Sequence, residues 1–258
     1  MAAVHATALP GWIEASGMPP GVRGGCATRQ FEGVSAAPFG PANYGDRSGD
    51  DLDAVHRNRA LLRERLALPA EPIWLRQVHG RAVHVFDTAA GRGQGGEPPE
   101  ADACVIHGQG AVAVVQTADC LPILLAARDQ PIVAAIHAGW RGLAGGVIES
   151  TLEQLRLYPE QVHAWLGPAI AQEAFEVGPE VRRAFVDQHF QAVECFTRGH
   201  ADRWHADLYA LARLRLHSAG VESIQGGAWC THSEATCFHS FRRDGAGSGR
   251  MASLIWRA

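Results

Sequence analysis

The chain has 258 residues, with 23 basic and 27 acidic side chains and a formal net charge of −4. All of the basic residues are arginines, because the sequence contains no lysine. This absence excludes Schiff-base chemistry, which needs an ε-amine, and it excludes a P-loop, whose lysine contacts phosphate. Any anion that the protein binds must therefore be held by arginine, histidine, backbone N–H groups or a metal ion.

The composition is that of an ordinary globular protein, since 47% of the residues are hydrophobic and 19% are charged. The small negative charge argues against binding to nucleic acid or to an anionic membrane surface. The first residues lack the features of a signal peptide, and the longest apolar stretches are far shorter than a membrane span. We therefore expect a protein located in the cytoplasm, with a monomer as the favoured state. A length of 258 residues fits one domain and also allows two small ones.

The first part of the chain is predicted to contain one helix and two short strands. Apolar residues at helical spacing and an acidic first turn predict a helix over residues 51–66. Strands are predicted over 72–76 and 82–86, on either side of a turn at 77–80. The segment Gly91–Glu100 is rich in Gly, Pro and Glu, a composition that predicts a mobile loop.

Two continuous apolar runs in the centre, 111–116 and 131–136, predict strands that are buried on both faces. A polar motif follows each run: Thr117–Cys120 after the first and His137–Gly142 after the second. A helix is predicted over 143–155. Because α/β proteins build their sites on loops at strand ends, the two polar motifs are candidates for a functional site.

The last part of the chain alternates between the two kinds of element. A strand is predicted over 163–167 and a closing strand over 250–256. Helices are predicted over 179–190 and 207–217. We find no internal repeat and no low-complexity tract that would divide the chain.

Three residues in these motifs could bind a metal ion. His79, Cys120 and His137 each lie beside a turn or at the end of a predicted strand. Two imidazoles and one thiolate suit a tetrahedral zinc site with an open fourth position, as in catalytic zinc sites. The same atoms also suit a metal-free mechanism in which Cys120 is a nucleophile and His137 is its base. Asp119 or His79 would then orient the base. A third interpretation is that Cys120 is a small buried residue and both histidines are hydrogen-bonded core residues.

Two further segments could bind an anion. The glycine-rich turn at 139–146 could present backbone N–H groups, with Arg141 as a clamp, although tight packing also explains these glycines. The segment 230–245 contains Cys, His and the pair Arg242 and Arg243, which could hold a phosphate, stack on a base or form an exposed charged turn. It has no CxxC or HxxxH pair, so a second metal site is not expected there.

The chain resembles the YfiH family, also called the laccase-domain or multicopper polyphenol oxidase family, over nearly its whole length. The motifs that carry the resemblance, in chain order, are Gly24–Arg29, Asn43–Gly45 with Gly49–Asp50, Gln77–Gly80, Thr117–Pro122, His137–Gly142, Leu166–Ile170, Trp204–Leu208, Phe241–Gly245 and Ser248–Arg250. The departures from the family pattern are small: Cys26 and Ala27 replace a hydrophobic residue and a serine, and His239 replaces an aromatic residue.

The resemblance implies a mixed α/β (α+β) fold, with mixed and antiparallel sheets flanked by helices, in a single domain over residues 1–258. It also implies a zinc ion held by His79, Cys120 and His137, with copper possible but disfavoured. Cys120, His137 and Asp119 are the expected catalytic residues. The expected substrate- and phosphate-binding residues are Arg29, Asn43, Gln77, Arg141 and Arg242.

The family is associated with phosphorolysis of adenosine, inosine and methylthioadenosine, and with adenosine deamination. We therefore expect a zinc-dependent purine nucleoside phosphorylase that uses purine nucleosides and phosphate. The complete deaminase signature, HxE with PCxxC, is absent, so deamination would need another acid–base group such as Asp119.

Three alternatives remain at this point. The first is a Cys–His hydrolase or amidase that edits peptidoglycan precursors, and the second is a nucleoside-binding protein without catalysis. The third, a copper laccase, is disfavoured because multicopper sites need HxH clusters and no HxH occurs.

Overall fold

Strands dominate the computed structural model, which describes residues 9–90 and 97–257. The strands are β1 (Trp12–Glu14), β2 (Val22–Ala27), β3 (Val83–Asp87), β4 (Ala103–His107), β5 (Val112–Thr117), β6 (Leu121–Ala127), β7 (Ile132–Ala138), β8 (Val162–Leu166), β9 (Glu176–Val177), β10 (Phe196–Arg198), β11 (Trp204–Ala206), β12 (Ser223–Gly226) and β13 (Met251–Arg257). The helices are α1 (Leu52–Arg65), α2 (Trp140–Gly145), α3 (Val147–Leu155), α4 (Pro179–Val186), α5 (Leu208–Ser218) and α6 (Phe241–Asp244).

The strands form three sheets. A four-stranded antiparallel sheet has the order β1-β2-β13-β5, and a six-stranded sheet has the order β12-β8-β6-β7-β4-β3. In the six-stranded sheet the two outer pairs, β12 with β8 and β3 with β4, are parallel, and the inner pairs are antiparallel. A small antiparallel sheet has the order β10-β11-β9. The expected mixed α/β fold with mixed and antiparallel sheets is therefore confirmed.

The two larger sheets pack face to face. Alternate residues of each central strand of the six-stranded sheet pack in different hydrophobic clusters, one on each face of the sheet. Ile123 of β6 pairs with Ile136 of β7, and both belong to the core formed with helices α3, α4 and α5. Their neighbours Leu124 and Ala135 also pair, but they point into the core shared with the four-stranded sheet. Because successive strand residues alternate between faces, burial on both faces requires a continuous apolar run.

Helix α1 covers the outer face of the four-stranded sheet. Its residue Leu62 packs in a third cluster with Val114 of β5 and Leu254 of β13. The carboxylate of Asp51 caps the helix by accepting a hydrogen bond from the Asp53 N–H at 3.0 Å. No helix within residues 9–90 and 97–257 is long and apolar enough to cross a membrane.

Most of the predicted elements are confirmed with shifts of one or two residues. The helix predicted over 51–66 is α1, and the one over 207–217 is α5. The strands predicted over 82–86, 111–116, 131–136, 163–167 and 250–256 are β3, β5, β7, β8 and β13. Strand β6 was not predicted, although its sequence is an apolar run of the same kind.

Three predicted elements are wrong in extent or in kind. Residues 72–76 make only isolated bridges at Ile73 and Arg76, and Pro72 cannot donate a backbone hydrogen bond. The helix predicted over 143–155 begins earlier, at α2, and is interrupted at Gly146, whose φ of 91° is left-handed. The helix predicted over 179–190 ends at Val186. Residues 91–96 of the predicted loop Gly91–Glu100 lie outside the described residues.

Candidate active site

The antiparallel hairpin of β6 and β7 brings Cys120 and His137 together. Pro122 pairs with His137 across the hairpin, so Cys120, which lies two residues before Pro122, reaches the end of β7. A methyl group added at Gly139 would come within 2.9 Å of the Cys120 Sγ atom. The 17-residue spacing of the two ligands in the sequence is therefore the length of one hairpin.

His79 lies in the turn before β3, and the buried side chain of Asp102 fixes that turn. The backbone of His79 has a φ of 62°, a left-handed conformation that costs free energy for any residue except glycine. The carboxylate of Asp102 accepts hydrogen bonds from the N–H groups of His79 at 2.9 Å, Gly80 at 2.7 Å and Val78 at 3.3 Å. These three backbone hydrogen bonds hold the turn, and with it His79, in place.

The same carboxylate orients His137. The Nδ1 atom of His137 lies 2.8 Å from the Asp102 Oδ1 atom, and the two side chains are 4% and 0% exposed. Because Nδ1 is engaged, Nε2 is the ring nitrogen left for a metal ion, as in carboxylate–histidine–zinc arrangements. Sequence reasoning missed Asp102, since its only signal is an acidic residue directly before an apolar strand.

The three predicted ligands form one compact cluster. Their ligand atoms all lie within 4.8 Å of one another, and the rings of His79 and His137 meet edge to face at 4.7 Å. His79 is exposed, Cys120 is half-buried and His137 is buried. In the part of the chain that the structure describes, it is the one group of three or more His, Cys, Asp or Glu side chains placed to hold a metal ion. Two imidazole nitrogens and a sulfur are a donor set that suits zinc.

The electrostatics of the cluster favour a deprotonated sulfur. Burial opposes ionisation of Cys120, but His137 and His79 outweigh it through hydrogen bonds and positive charge and lower the pKa of the thiol to about 6. Burial opposes protonation of His137, but the Cys120 thiolate and Asp102 raise its pKa to about 9. Without a metal ion the cluster is therefore a thiolate–imidazolium pair near neutral pH, and its thiolate is the form that a metal binds.

A cavity of about 480 Å³ lies over the cluster, a size that suits a small-molecule ligand. Its polar wall includes Gln77, Arg242 and Arg250, and its apolar wall includes Phe175 and Phe241. The remaining lining residues are Gly45, Asp46, Arg47, Ser48, Leu75, Arg76, His79, Gln116, Thr117, Ala118, Asp119, Cys120, His137, Trp140 and Ile170.

Three of the other predicted site residues lie in the cavity wall. The amide of Gln77 exchanges two hydrogen bonds with the backbone of Gln116, at 2.8 and 2.7 Å. Asp119 accepts hydrogen bonds from the Thr231 hydroxyl and from the backbone N–H of Arg242, both at 2.6 Å. The Arg242 guanidinium donates to two backbone carbonyls and lies 5.3 Å from the ring of Phe175.

The other three predicted residues are not in the cavity wall. Arg29 donates to the carbonyls of residues 40 and 235. Asn43 is fully buried, and its side chain joins the loop at 45–50 to the backbone of Arg250. Arg141 is exposed and stacks on Trp140 at 4.5 Å. Their predicted roles in binding substrate or phosphate stay predictions, and their placement does not support direct contact.

Arg250 lines the cavity although its role was not predicted. The sequence did contain an indication of a role for this residue, because Arg250 is the last residue of the Ser248–Arg250 motif of the resemblance. Its position at the start of the closing strand gave no reason to separate it from the other arginines. Only the fold brings it to the same cavity as the metal-ligand cluster.

Comparisons with known proteins establish the family. Residues 24–258 match the model of the family described as multi-copper polyphenol oxidoreductase laccase, so the chain belongs to that family. It is 46% identical to the purine nucleoside phosphorylase YfiH of Shigella flexneri, over 93% of this chain and 95% of the relative. It is 45% identical to the protein of the same name in Escherichia coli K12, over 96% and 97%.

Two solved structures have the same fold. A Neisseria meningitidis protein of the family DUF152 superposes with a TM-score of 0.89 and 42% identity, over 96% of this chain and 99% of that one. The protein YlmD from Geobacillus stearothermophilus superposes with a TM-score of 0.86 and 30% identity, over 96% of each chain. The resemblance noted from the sequence motifs is therefore confirmed.

Proposed function

We propose that this protein is a zinc-dependent purine nucleoside phosphorylase that acts on adenosine, inosine and methylthioadenosine, with adenosine deamination as a side activity. The observation that carries the proposal is the cluster of His79, Cys120 and His137 beneath a cavity of ligand size. Relatives with up to 46% identity over nearly the whole chain carry the name purine nucleoside phosphorylase.

The cavity wall offers groups for both halves of a nucleoside. The aromatic rings of Phe175 and Phe241 can pack against a purine base, and Phe241 is 54% exposed. Arginines on the wall can hold the phosphate, since the chain has no lysine for this role. In phosphorolysis a phosphate oxygen bonds to C1′ of the sugar as the bond from C1′ to the base nitrogen breaks, and the base departs with a proton.

Asp102 positions the cluster, and its buried carboxylate balances positive charge on His137. Zinc, held by the two imidazoles and the thiolate, supplies a positive charge and Lewis acidity at the bottom of the cavity when it is bound. The donor set also accepts copper, but a laccase needs several copper centres. The described residues provide a single cluster of three ligands, which supports zinc chemistry over multicopper oxidation.

Deamination requires a group that moves a proton at the base, and Asp119 is the candidate in the cavity wall. Its two oxygens accept hydrogen bonds from Thr231 and Arg242. These bonds fix the orientation of the carboxylate in the cavity wall. Asp119 is therefore held where it can exchange a proton with a bound base.

One observation favours a second candidate, the Cys–His hydrolase or amidase that would edit peptidoglycan precursors. Cys120, His137 and Asp102 stand in the order of a nucleophile, its base and an orienting carboxylate, and the thiol has a low pKa. The names of the relatives do not support this activity. Such an enzyme would stay active without metal.

The deciding experiment measures the metal content of the purified protein together with base release from inosine, adenosine and methylthioadenosine, with and without phosphate. The proposal predicts about one zinc per chain, phosphate-dependent release of the base, and loss of activity on treatment with a chelator. Activity that survives complete removal of the metal would support the Cys–His hydrolase instead. Zinc without phosphate-dependent release would contradict the phosphorylase.

A further inference from the structure

The arginines of the cavity wall differ mainly in how far they are buried. Arg76 is exposed and forms an ion pair with Glu100. Arg242 is exposed, and it donates through Nη1 to the carbonyls of residues 174 and 176, so its Nε and Nη2 atoms also lack an acceptor among the described residues. Arg47 is also exposed. Arg250 is the half-buried arginine of this wall, and it lies deep enough that burial lowers the pKa of its guanidinium.

The side chain of Arg250 is fixed before any ligand arrives. Its Nη1 atom donates to the carbonyls of Ser248 at 2.7 Å and Gly249 at 3.0 Å. A Cβ atom at Gly45 would come within 2.5 Å of its Cγ atom, so the absence of a side chain there makes room for the arginine stem. The ring of Phe241 lies 5.7 Å from the guanidinium carbon.

The backbone of Arg250 is fixed as well. Its N–H donates to the Oδ1 atom of the fully buried Asn43 at 2.8 Å, and its carbonyl accepts from the Tyr44 N–H at 3.0 Å. Preorganisation of this kind lowers the entropy that a binding group loses when it meets its ligand. The predicted site residue Asn43 thus acts on the cavity through Arg250.

The remaining donors of Arg250 are unused. Among the described residues, its Nε and Nη2 atoms donate to no protein acceptor, whereas Nη1 is occupied twice. These two atoms lie on one edge of the planar guanidinium, the edge that binds two oxygens of a phosphate or carboxylate. A charged edge of this kind in a cavity wall needs an anion or water as its partner.

The surrounding charge is compatible with one anion. The negative charges of Cys120 and Asp119 are near enough to act on Arg250. Asp119 is already hydrogen-bonded by Thr231 and Arg242, and a zinc ion would offset the thiolate charge. The guanidinium therefore keeps a positive charge for a further partner.

We propose that the free edge of Arg250 is an oxyanion subsite of this cavity and binds the inorganic phosphate that attacks the nucleoside. This inference rests on the proposed phosphorolysis, but phosphate binding can be measured without turnover. The sequence predicts Arg29, Arg141 and Arg242 as phosphate-binding residues, and Arg250 is a further candidate that only the structure brings to this role.

The absence of lysine makes a direct test possible. The variant R250K introduces the single ε-amine of the chain. We would label this amine with acetic anhydride under limiting conditions and follow the modified peptide by mass spectrometry, with the α-amino terminus as internal reference. Inorganic phosphate is expected to slow its acetylation at least about fivefold, since an ammonium also binds phosphate.

The matched control is R23K. Arg23 is exposed and stacks on an aromatic ring, Trp256, at 5.0 Å, but it lies on β2 away from the cavity. Its amine is expected to be acetylated at the same rate with and without phosphate. Equal acetylation rates for R250K with and without phosphate would overturn the proposal.

Kinetics provide a second, independent measurement. In R250Q the KM for phosphate is expected to rise about 10- to 100-fold, the loss expected for hydrogen bonds to a charged group. R250K should lie between R250Q and the wild type, and the KM for inosine should change far less. Circular dichroism and thermal unfolding identify any variant that fails to fold. If R250Q does not fold, R250K, which keeps a positive charge, provides the kinetic comparison with the wild type.

The outcomes separate the subsite from the activity. A wild-type protein that releases base only with phosphate, together with an unchanged phosphate KM in R250K and R250Q, would overturn the subsite alone. Phosphate protection in R250K without any phosphorolysis by the wild type would leave the anion subsite standing and contradict the proposed function.

Discussion

The Oδ1 atom of Asp102 lies 2.8 Å from the Nδ1 atom of His137, and the same carboxylate accepts backbone hydrogen bonds from the turn that carries His79. One fully buried carboxylate thus positions two of the three candidate metal ligands. Cys120, the third ligand, is positioned by the β6–β7 hairpin instead. Asp102 therefore connects two segments, one before it and one after it, that each lie more than 20 residues away from it in the sequence.

Replacing Asp102 with Asn should weaken zinc binding about 10- to 100-fold, because an outer-sphere carboxylate orients the ligand and raises its basicity. Competition with a chromophoric chelator measures the affinity. Asp129→Asn, at an exposed position on the β6–β7 turn, is the control and should bind zinc like the wild type. An unchanged affinity in the Asp102 variant would show that the carboxylate serves only the fold.

His79→Ala and Cys120→Ala should each abolish phosphate-dependent release of the base from inosine while the fold stays intact. Each change removes one of three ligands without touching a core cluster. Cys237→Ala is the matched thiol control, since Cys237 is also half-buried but lies outside the cavity wall. Full activity in either ligand variant would contradict the zinc mechanism.

Removal of the metal should expose a reactive thiolate at Cys120. Because His137 and His79 lower the pKa of this thiol to about 6, alkylation by iodoacetamide should rise with pH around a midpoint near 6. Zinc should protect the residue and should bind less tightly below that pH, where the sulfur is protonated. Cys26 and Cys104, whose pKa burial raises to about 12, should stay unmodified. A midpoint near the ordinary thiol value would contradict the cluster geometry.

Gly139→Ala should impair metal binding more than stability. Its added methyl group would lie 2.9 Å from the Cys120 Sγ atom and 3.1 Å from the His79 Cδ2 atom, so at least one ligand must move. Gly145→Ala is the control, because it lies in α2 with open space around the new methyl group and should stabilise the helix by about 0.5–1 kcal/mol. Zinc titration and thermal unfolding of both variants test the difference.

His239 should make the fold sensitive to mild acid. Burial lowers the pKa of His239 to about 4, so between pH 6.5 and 4 the unfolded chain takes up a proton that the folded chain does not. The contribution of neutral His239 to the free energy of unfolding is therefore fully present above pH 6.5. It is lost as the pH falls towards 4, by up to about 3 kcal/mol. Its Nε2 atom lies 2.9 Å from the carbonyl of Ala42.

His239→Phe should remove that part of the acid sensitivity, because Phe does not titrate. Urea unfolding of both proteins at pH 7 and pH 5 gives the two slopes of stability against pH. The variant should lose less stability over this interval even if it is less stable at pH 7. Parallel slopes would show that His239 is protonated in the folded protein.

The sequence predicted β5 and β7 because their buried positions leave a continuous apolar run, although β6 has a run of the same kind and was not predicted. It failed where an element depends on its partner. Residues 72–76 have strand composition but meet other strands only at isolated bridges. The break at Gly146 depends on a left-handed φ that local sequence does not require.

The residues of the candidate site were likewise predicted in part from the sequence and in part only from the structure. The motif order picked out His79, Cys120 and His137, and the structure brings these three ligands together. Asp102 was missed because a buried carboxylate is stable only with partners supplied by other segments, and those partners cannot be read from its neighbours in sequence.

The sequence by itself determined that any anion here must be held without lysine, and its motifs determined the family. Only the tertiary structure decided which of the 23 arginines is half-buried in the cavity wall and held there by its neighbours. The physical reason is that all arginines share one chemistry. Burial and the loops around Asn43 and Gly45 distinguish Arg250 from the others, and these belong to the fold.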